Sequence, residues 1–175
     1  MACKVIDPMK NRQWEPSMMK RSTVVFAVVF ALMGCAPKKI PGTEIDDTTA
    51  TRDILEVMKK YRVAFEREKT DAIVELADAS FQDDGGSASP DDDCDYAGLS
   101  AHLNGLFERV KELRLDMNVR KVEFDDDETA ARVTYNYTLS FRMPDLSQKT
   151  HSDSDIKQMT LKRVGPNDWK ITSGI

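Results

Sequence analysis

The chain has 175 residues, with 25 Lys and Arg against 30 Asp and Glu, which gives a formal net charge of −5. Phosphate backbones require a positive surface with interleaved aromatic residues, and this sequence has neither, so nucleic acid is excluded as a partner. The length fits one domain. The three cysteines form no Cys-x-x-Cys pair or Cys/His cluster, so the sequence predicts no metal site and no cofactor.

An apolar run of eleven residues, 23–33, follows the basic pair Lys20 and Arg21. The run is shorter than the roughly 20 residues that a membrane-spanning helix needs, and it has the length of the h-region of a signal peptide. A buried core helix and an uncleaved signal anchor are the alternatives. The basic residues before the run and Pro37 after it favour the signal peptide.

The run ends in a motif that resembles the bacterial lipobox, in which a small residue precedes a cysteine: Leu32, Met33, Gly34 and Cys35. The resemblance implies that the Cys35 sulfur receives diacylglycerol and that residues 1–34 are removed. The mature chain then has 141 residues, with 20 basic and 28 acidic ones. Cys94 remains as a lone thiol among aspartates, which makes it a poor nucleophile because negative charge raises a thiol pKa.

The chain outside the apolar run divides into three further segments. Residues 1–17 precede Met18 and Met19 without periodicity, which indicates either an overcalled start or a long n-region. Residues 35–49 contain two prolines, a glycine and no apolar pattern, so they are interpreted as the acylated cysteine and a flexible tether. Residues 50–175 are interpreted as the folded domain.

Apolar residues at intervals of three and four predict three amphipathic helices. The first runs from an N-cap at Thr49 or Thr51 to about Glu68, the second starts at about Thr70, and the third spans about 96–113. Their buried faces are predicted to hold Ile54, Met58, Tyr61 and Phe65 in the first, Ile73, Leu76 and Ala77 in the second, and Leu99, Leu103, Leu106, Val110 and Leu113 in the third.

An acidic segment separates the second and third helices. Asp-Gly-Gly at 84–86 predicts a hairpin or a loop after a short strand. Three alternating aspartates in 91–95 resemble the first ligands of a calcium loop, but Tyr96 and His102 stand where that loop requires a glycine and a glutamate. We therefore favour a solvated loop over a calcium site.

From Arg114 onward the apolar period changes from 3.6 to 2, which predicts strands. The first strand shifts phase near Arg120, which predicts a β-bulge. The stretch 131–143 alternates without interruption, so it is predicted to be a long strand with one buried face. A polar loop to about Ser154, a further strand and a turn at 165–168 precede the last strand. The apolar residues of these two final strands are Ile156, Met159, Leu161 and Val164, then Trp169 and Ile171.

This order of elements predicts an α+β fold, with three helices packed on a curved, mainly antiparallel sheet. The chain resembles the nuclear transport factor 2-like superfamily, which includes SnoaL-like polyketide cyclases, ketosteroid isomerase and scytalone dehydratase. The resemblance covers about 49–175 and is carried by Tyr61, Ala64 and Phe65, by Asp71, Ala72, Ile73 and Leu76, by Glu128, Ala130 and Val133, and by Trp169 and Ile171. It implies a cone with a pocket between the concave sheet face and the helices, and dimerisation through the other face.

The same resemblance identifies candidate catalytic residues. In ketosteroid isomerase a first-helix tyrosine donates a hydrogen bond to an enolate and an aspartate after the second helix moves the proton, and Tyr61 and Asp83 match these positions. The family's second oxyanion donor, a carboxylic acid, is not matched, because residues 158–160 are Gln, Met and Thr. The alternative is that Tyr61 is a core residue and Asp83 begins a turn. Tyr135 and Tyr137 are predicted to line the pocket.

Together these patterns predict a membrane-anchored lipoprotein of the bacterial envelope. Ala36 replaces the aspartate that retains many lipoproteins in the inner membrane, which favours the outer membrane with the domain facing the periplasm. We expect the domain to bind an envelope protein or a small apolar ligand without turnover, with a homodimer as a further expectation. The alternative is a SnoaL-like or ketosteroid-isomerase-like lyase or isomerase.

Overall fold

The structure, a computed structural model, describes residues 38–85, 93–144 and 147–175. The predicted signal peptide and Cys35 lie outside these residues. The described residues belong to one compact unit, Lys38–Ile175. None of the described helices is both long enough and apolar enough to cross a membrane.

Residues 38–48, which the sequence assigned to the tether, form a closed turn ahead of the first helix. Lys39 and Asp46 pair in an antiparallel bridge, and the Asp47 N–H donates to the Lys38 carbonyl at 2.6 Å. Ile45 is buried, with 5% of its surface exposed. The described residues 38–48, which overlap the predicted tether, are therefore part of the folded unit.

In the described part of the chain, three helices precede the large sheet: α1, Thr49–Glu66; α2, Thr70–Leu76; and α3, Tyr96–Arg109. The N-cap of α1 is Thr48, whose Oγ1 accepts from the Thr51 N–H at 3.0 Å. The N-cap residue precedes the first helical residue, which here is Thr49. The predicted caps Thr49 and Thr51 therefore lie inside the helix.

The helix α3 ends at Arg109, four residues before the predicted end. Val110 has extended dihedral angles, with φ −112° and ψ 145°, and the following strand begins at Lys111. Val110 and Leu113 are both buried, as predicted, but Leu113 reaches the core from that strand. The apolar spacing continues across the junction, so periodicity alone places the helix end too late.

The six strands among the described residues form two sheets. The short strands β1 (Gln82–Asp83) and β2 (Cys94–Asp95) pair antiparallel. The large sheet has the order β3-β4-β5-β6, with every neighbouring pair antiparallel. Its strands are β3, Lys111–Phe124; β4, Ala130–Met143; β5, Ser147–Gly165; and β6, Asp168–Ser173. The predicted α+β arrangement of three helices on a curved antiparallel sheet is confirmed.

The strand β5 begins at Ser147, although the sequence predicts a polar loop to about Ser154. Residues in this stretch pair with β4 in register, including His151 with Phe141 and Asp153 with Leu139. The side chains of residues 149–155 are exposed, so the stretch lacks the apolar alternation that identifies a strand from sequence. Backbone pairing with β4 is what makes it a strand.

The register of β3 against β4 contains the predicted bulge. Val119 pairs with Tyr135 and Lys121 with Thr134, so Arg120 is the extra residue. A bulge bends its strand and increases the local twist, which curves the sheet. The phase shift in the apolar pattern therefore predicted a real change of register.

The core lies between α1, α2, α3 and the concave face of the large sheet. Its fully buried side chains include Ile54 from α1, Leu99 and Leu103 from α3, and Val133, Met159, Leu161, Trp169 and Ile171 from the sheet. The Phe65 and Phe107 rings pack edge to face with their centroids 5.5 Å apart. The Asp78 N–H donates to the Ile171 carbonyl at 2.8 Å, which ties the segment after α2 to β6.

We expect Ile171→Ala to lower the free energy of unfolding by about 2–5 kcal/mol, because Ile171 is 0% exposed and its truncation leaves a cavity. The matched control is Ile156→Ala on β5, where the side chain is 63% exposed and the change should stay within about 0.5 kcal/mol. Urea denaturation followed by circular dichroism measures both. Equal losses of unfolding free energy in the two variants would show that Ile171 does not belong to the core.

Candidate functional site

Three residues from different elements lie close enough to influence one another electrostatically: Tyr61 from α1, Asp83 from β1 and Tyr135 from β4. Burial raises the pKa of Tyr61 above its usual range, and the nearby Tyr135 and Asp83 raise it further. Burial and the charge of Asp83 also raise the pKa of Tyr135. Both phenols are therefore neutral hydrogen-bond donors at physiological pH. The structure brings together the predicted catalytic pair and one of the two predicted pocket tyrosines.

The Asp83 carboxylate is held by backbone N–H groups. Its Oδ2 accepts from the Gly174 N–H at 2.8 Å and from the Ile175 N–H at 2.9 Å, and its Oδ1 accepts from the Gly85 N–H at 3.2 Å. These three bonds fix the carboxylate between β1 and the residues after β6. A proton transfer to this carboxylate would have to compete with them.

The backbone of Gly174 closes the site by forming hydrogen bonds with two of its residues. The Tyr135 hydroxyl donates to the Gly174 carbonyl at 3.3 Å, so both backbone polar groups of Gly174 bond to site residues. Gly174 has φ +88°, and a Cβ there would lie 2.1 Å from the Gln158 carbonyl oxygen. Only glycine fits this close approach. Sequence analysis missed Gly174, because a glycine after a strand is an ordinary turn signal.

The Tyr61 hydroxyl differs from its neighbours. Its side chain is 4% exposed, yet among the described residues no group forms a hydrogen bond with the hydroxyl. Its ring packs against Phe65 with the centroids 5.8 Å apart. Tyr61 is therefore a core residue, in line with one interpretation of the sequence, and it also carries an available donor beside Asp83.

Tyr137 lies farther along β4, towards the open end of the concave face. Its hydroxyl donates to Asp153 Oδ2 at 2.6 Å, and this bond is the main cause that raises the pKa of Tyr137 to about 12. The Lys157 Nζ lies 5.7 Å from the centroid of its ring. Tyr137 is half-buried, and its hydroxyl contacts polar side chains of β5.

The concave face changes from apolar to charged along β5. Residues opposite each other on paired strands share a face, and the inward residues of β4 pair successively with Leu161, Met159, Lys157, Asp155, Asp153 and His151. Leu161 and Met159 are buried, whereas the four charged or titratable residues are exposed. Helix packing therefore covers only the apolar half of this face.

Other candidates from the sequence have structural roles. Asp95 is the N-cap of α3 and accepts from the Gly98 N–H at 2.8 Å. His102 is exposed, and His151 stacks on Phe141 with ring centroids 5.7 Å apart. Burial, with Asp95 and Asp83, raises the pKa of the Cys94 thiol. Within the described ranges, no group of three His, Cys, Asp or Glu side chains is placed to hold a metal ion.

The predicted lipidation residues lie outside the described residues: Leu32, Met33, Gly34 and Cys35. The open cleft of about 740 Å³ on the outer side of α1 is lined by none of Tyr61, Asp83, Tyr135 or Tyr137. The interior site and this cleft are therefore separate features of the unit.

No family model and no curated protein matches the sequence. Solved structures do match the fold. A candidate scytalone dehydratase from Novosphingobium aromaticivorans aligns over 71% of this chain and 80% of its own, with a TM-score of 0.61 and 16% identity. A nuclear transport factor 2-like superfamily protein from Salmonella enterica aligns over 72% of this chain and 88% of its own, with a TM-score of 0.60 and 11% identity.

A third similar structure has a different kind of name. It is a candidate calcium/calmodulin-dependent protein kinase II association domain from Xanthomonas campestris, aligned over 81% of this chain and 94% of its own, with a TM-score of 0.58 and 12% identity. At such identities the likeness shows the fold alone. The chain therefore has the predicted nuclear transport factor 2-like fold, which proteins named as enzymes and as association domains share.

We expect Gly174→Ala to lower the free energy of unfolding by more than about 1 kcal/mol, because alanine is strained at φ +88° and its Cβ would meet the Gln158 backbone. Gly105→Ala is the matched control. Gly105 lies in α3, and a Cβ there would meet no atom within 4 Å, so alanine should stabilise the protein by about 0.5–1 kcal/mol. Urea denaturation of both variants measures the change in the free energy of unfolding. No loss for Gly174→Ala would contradict the close approach of Gly174 to the Gln158 backbone.

Proposed function

We propose that the protein is a bacterial lipoprotein, anchored through a lipid on Cys35, whose nuclear transport factor 2-like domain binds a ligand or an envelope partner without turnover. The apolar run and the lipobox-like motif support the anchor. The early start of the folded unit adds a spatial consequence. Lys38 follows Cys35 by three positions, which at full extension span roughly 11 Å, so the anchored domain lies against the membrane surface.

The observation that carries the non-catalytic role is the fixation of Asp83. A general base must be free to accept a proton from a substrate, whereas Asp83 accepts three backbone N–H groups. A structural clamp explains all of these contacts.

A lyase or isomerase is the second candidate function, and one observation favours it. The Tyr61 side chain is 4% exposed, its phenol is neutral, and the charge of Asp83 acts on it; no hydrogen bond to its hydroxyl is found among the described residues. An oxyanion donor in a dry pocket has these properties. In this alternative the protein acts on a small apolar substrate. One of the similar structures is named as a candidate scytalone dehydratase, which is consistent with it.

The location and the oligomeric state are parts of the same proposal. Ala36 after the acylated cysteine supports the outer membrane, with the domain facing the periplasm. A homodimer through the outer face of the sheet is the family's expected arrangement. That face is largely polar, with cross-strand bonds such as Ser154 to Thr138 at 3.0 Å, and it exposes Ile156.

We expect the protein from a bacterial membrane fraction to have an intact mass that lacks residues 1–34 and includes a lipid adduct. Cys35→Ala should abolish both changes and release the protein from the membrane, because only this sulfur accepts the lipid. Cys94→Ala is the control and should keep the adduct. An unprocessed wild-type chain with a free Cys35 thiol would refute the anchor.

The non-catalytic role predicts that the protein does not bind an enolate mimic. The phenolate oxygen of 4-nitrophenolate resembles an enolate oxyanion, and its absorbance changes when donors bind it. We expect no saturable absorbance change on titration with the protein. A saturable change that Tyr61→Phe abolishes and Tyr96→Phe retains would instead support the lyase or isomerase, because Tyr96 is 38% exposed on the surface.

A further inference from the structure

A second site candidate lies outside the cone, between the outer side of α1, α2 and the start of β6. This cleft, the outer groove, has a volume of about 740 Å³. Small-molecule sites commonly have about 300–1,000 Å³. Its lining follows α1 from Glu56 to the C-cap residue Arg67, eleven positions later, which corresponds to about 16 Å along the helix axis. The groove thus has the size and length of a site for an elongated molecule.

The floor of the outer groove is apolar. Val57, Ala64 and Trp169 line it and are buried, and Val63 and Leu76 are half-buried beside them. Trp169 is 1% exposed and packs beneath the groove, where the Arg163 guanidinium lies 4.7 Å from its ring centroid. Burying the remaining exposed apolar surface favours a ligand with a hydrocarbon part.

The charges at the rim are distributed unevenly. At the end where α1 gives way to α2, the lining side chains Arg67 and Lys69 are exposed, and neither forms an ion pair among the described residues. Lys60, farther along α1, is a third cation without an ion pair in the described part of the chain. The remaining charged lining residues are mixed: Glu56, Glu75 and Asp168 are acidic, and Lys59 and Lys170 are basic.

This distribution stands out against the rest of the molecule. The full chain has a net charge of −5, whereas the lining of the groove has five basic and three acidic side chains. A guanidinium and an ammonium group that line the same groove suit a carboxylate or a phosphate, which can accept bidentate bonds from arginine. Charge complementarity therefore indicates an anionic head at the Arg67 end.

We propose that the outer groove binds a single-chain anionic amphiphile, a monomeric long-chain carboxylate. Its carboxylate contacts Arg67 and Lys69, and its hydrocarbon chain lies along Val63, Leu76 and the floor above Trp169. This inference rests on the proposed binding function and names its ligand class. Glu56 and Lys59 line both this groove and a neighbouring cleft that Lys38 also lines, so the groove lies on the side of the domain where the proposed lipid anchor attaches.

The test uses Trp169 as a local reporter. The chain has two tryptophans, so in the full-length protein with Trp14→Phe all tryptophan emission comes from Trp169. The probe is 12-bromododecanoate, whose bromine quenches a tryptophan on close approach, with unbrominated dodecanoate as competitor. We expect saturable quenching that dodecanoate reverses and that dodecyltrimethylammonium, with the same chain and the opposite charge, does not.

Charge variants locate the head group. Arg67→Glu with Lys69→Glu should weaken binding of the probe by roughly tenfold or more, because two charge-assisted contacts become repulsive. The matched control is Arg114→Glu with Arg120→Glu, which changes the net charge equally at two exposed cations of β3 and should leave affinity within about twofold. Circular dichroism checks that each variant is folded.

Four outcomes would overturn the inference. These are no quenching, equal weakening in both charge variants, displacement by the cationic amphiphile, and binding to phosphatidylglycerol vesicles without binding of the monomeric probe. The last outcome would identify the groove as a membrane-contact surface instead. The mass of the Cys35 adduct and the 4-nitrophenolate titration do not depend on this groove, so failure here is distinguishable from failure of the proposed function.

Discussion

The apolar face of β4 is the constraint on which the rest of the unit depends. Inward and outward side chains alternate along β4 without interruption, and the inward Ala131, Val133 and Tyr135 are all buried. A sheet with such a face must cover it, because exposed apolar surface is unfavourable in water. The helices provide the cover, and the bulge at Arg120 bends β3 so that the sheet curves around them.

The same face also determines where the interior site lies. The helices cover the sheet as far as Met159 of β5, which is buried, whereas Lys157 is exposed. Tyr135 pairs with Lys157 and therefore lies at the boundary of the covered surface. A polar group at such a boundary needs a partner, and the backbone of Gly174 supplies one. Closure of the site by Gly174 is therefore a consequence of packing as much as of any chemistry.

The interior site and the outer groove differ in what they offer to a ligand. In the interior site, hydrogen bonds within the chain already occupy Asp83 and Tyr135. In the outer groove, an apolar floor is bordered by Arg67 and Lys69, two exposed cations that form no ion pair within the described ranges. Binding without turnover is easier to reconcile with the groove, because the groove offers apolar surface and charge. The fold leaves both options open, since it positions pockets without defining their chemistry.

The sequence by itself determined the order of elements, the long strand β4, the bulge and the α+β class, because all four are expressed in local apolar periodicity. The tertiary structure decided the end of α3, where Leu113 is buried from a strand, and the start of β5 at Ser147, where pairing with β4 replaces any apolar signal. It also decided that Asp83 meets Gly174, 91 residues away, and that Arg67 and Lys69, between α1 and α2, border one groove with Trp169. Contacts between residues so distant along the chain leave no local pattern, so only the folded chain reveals them.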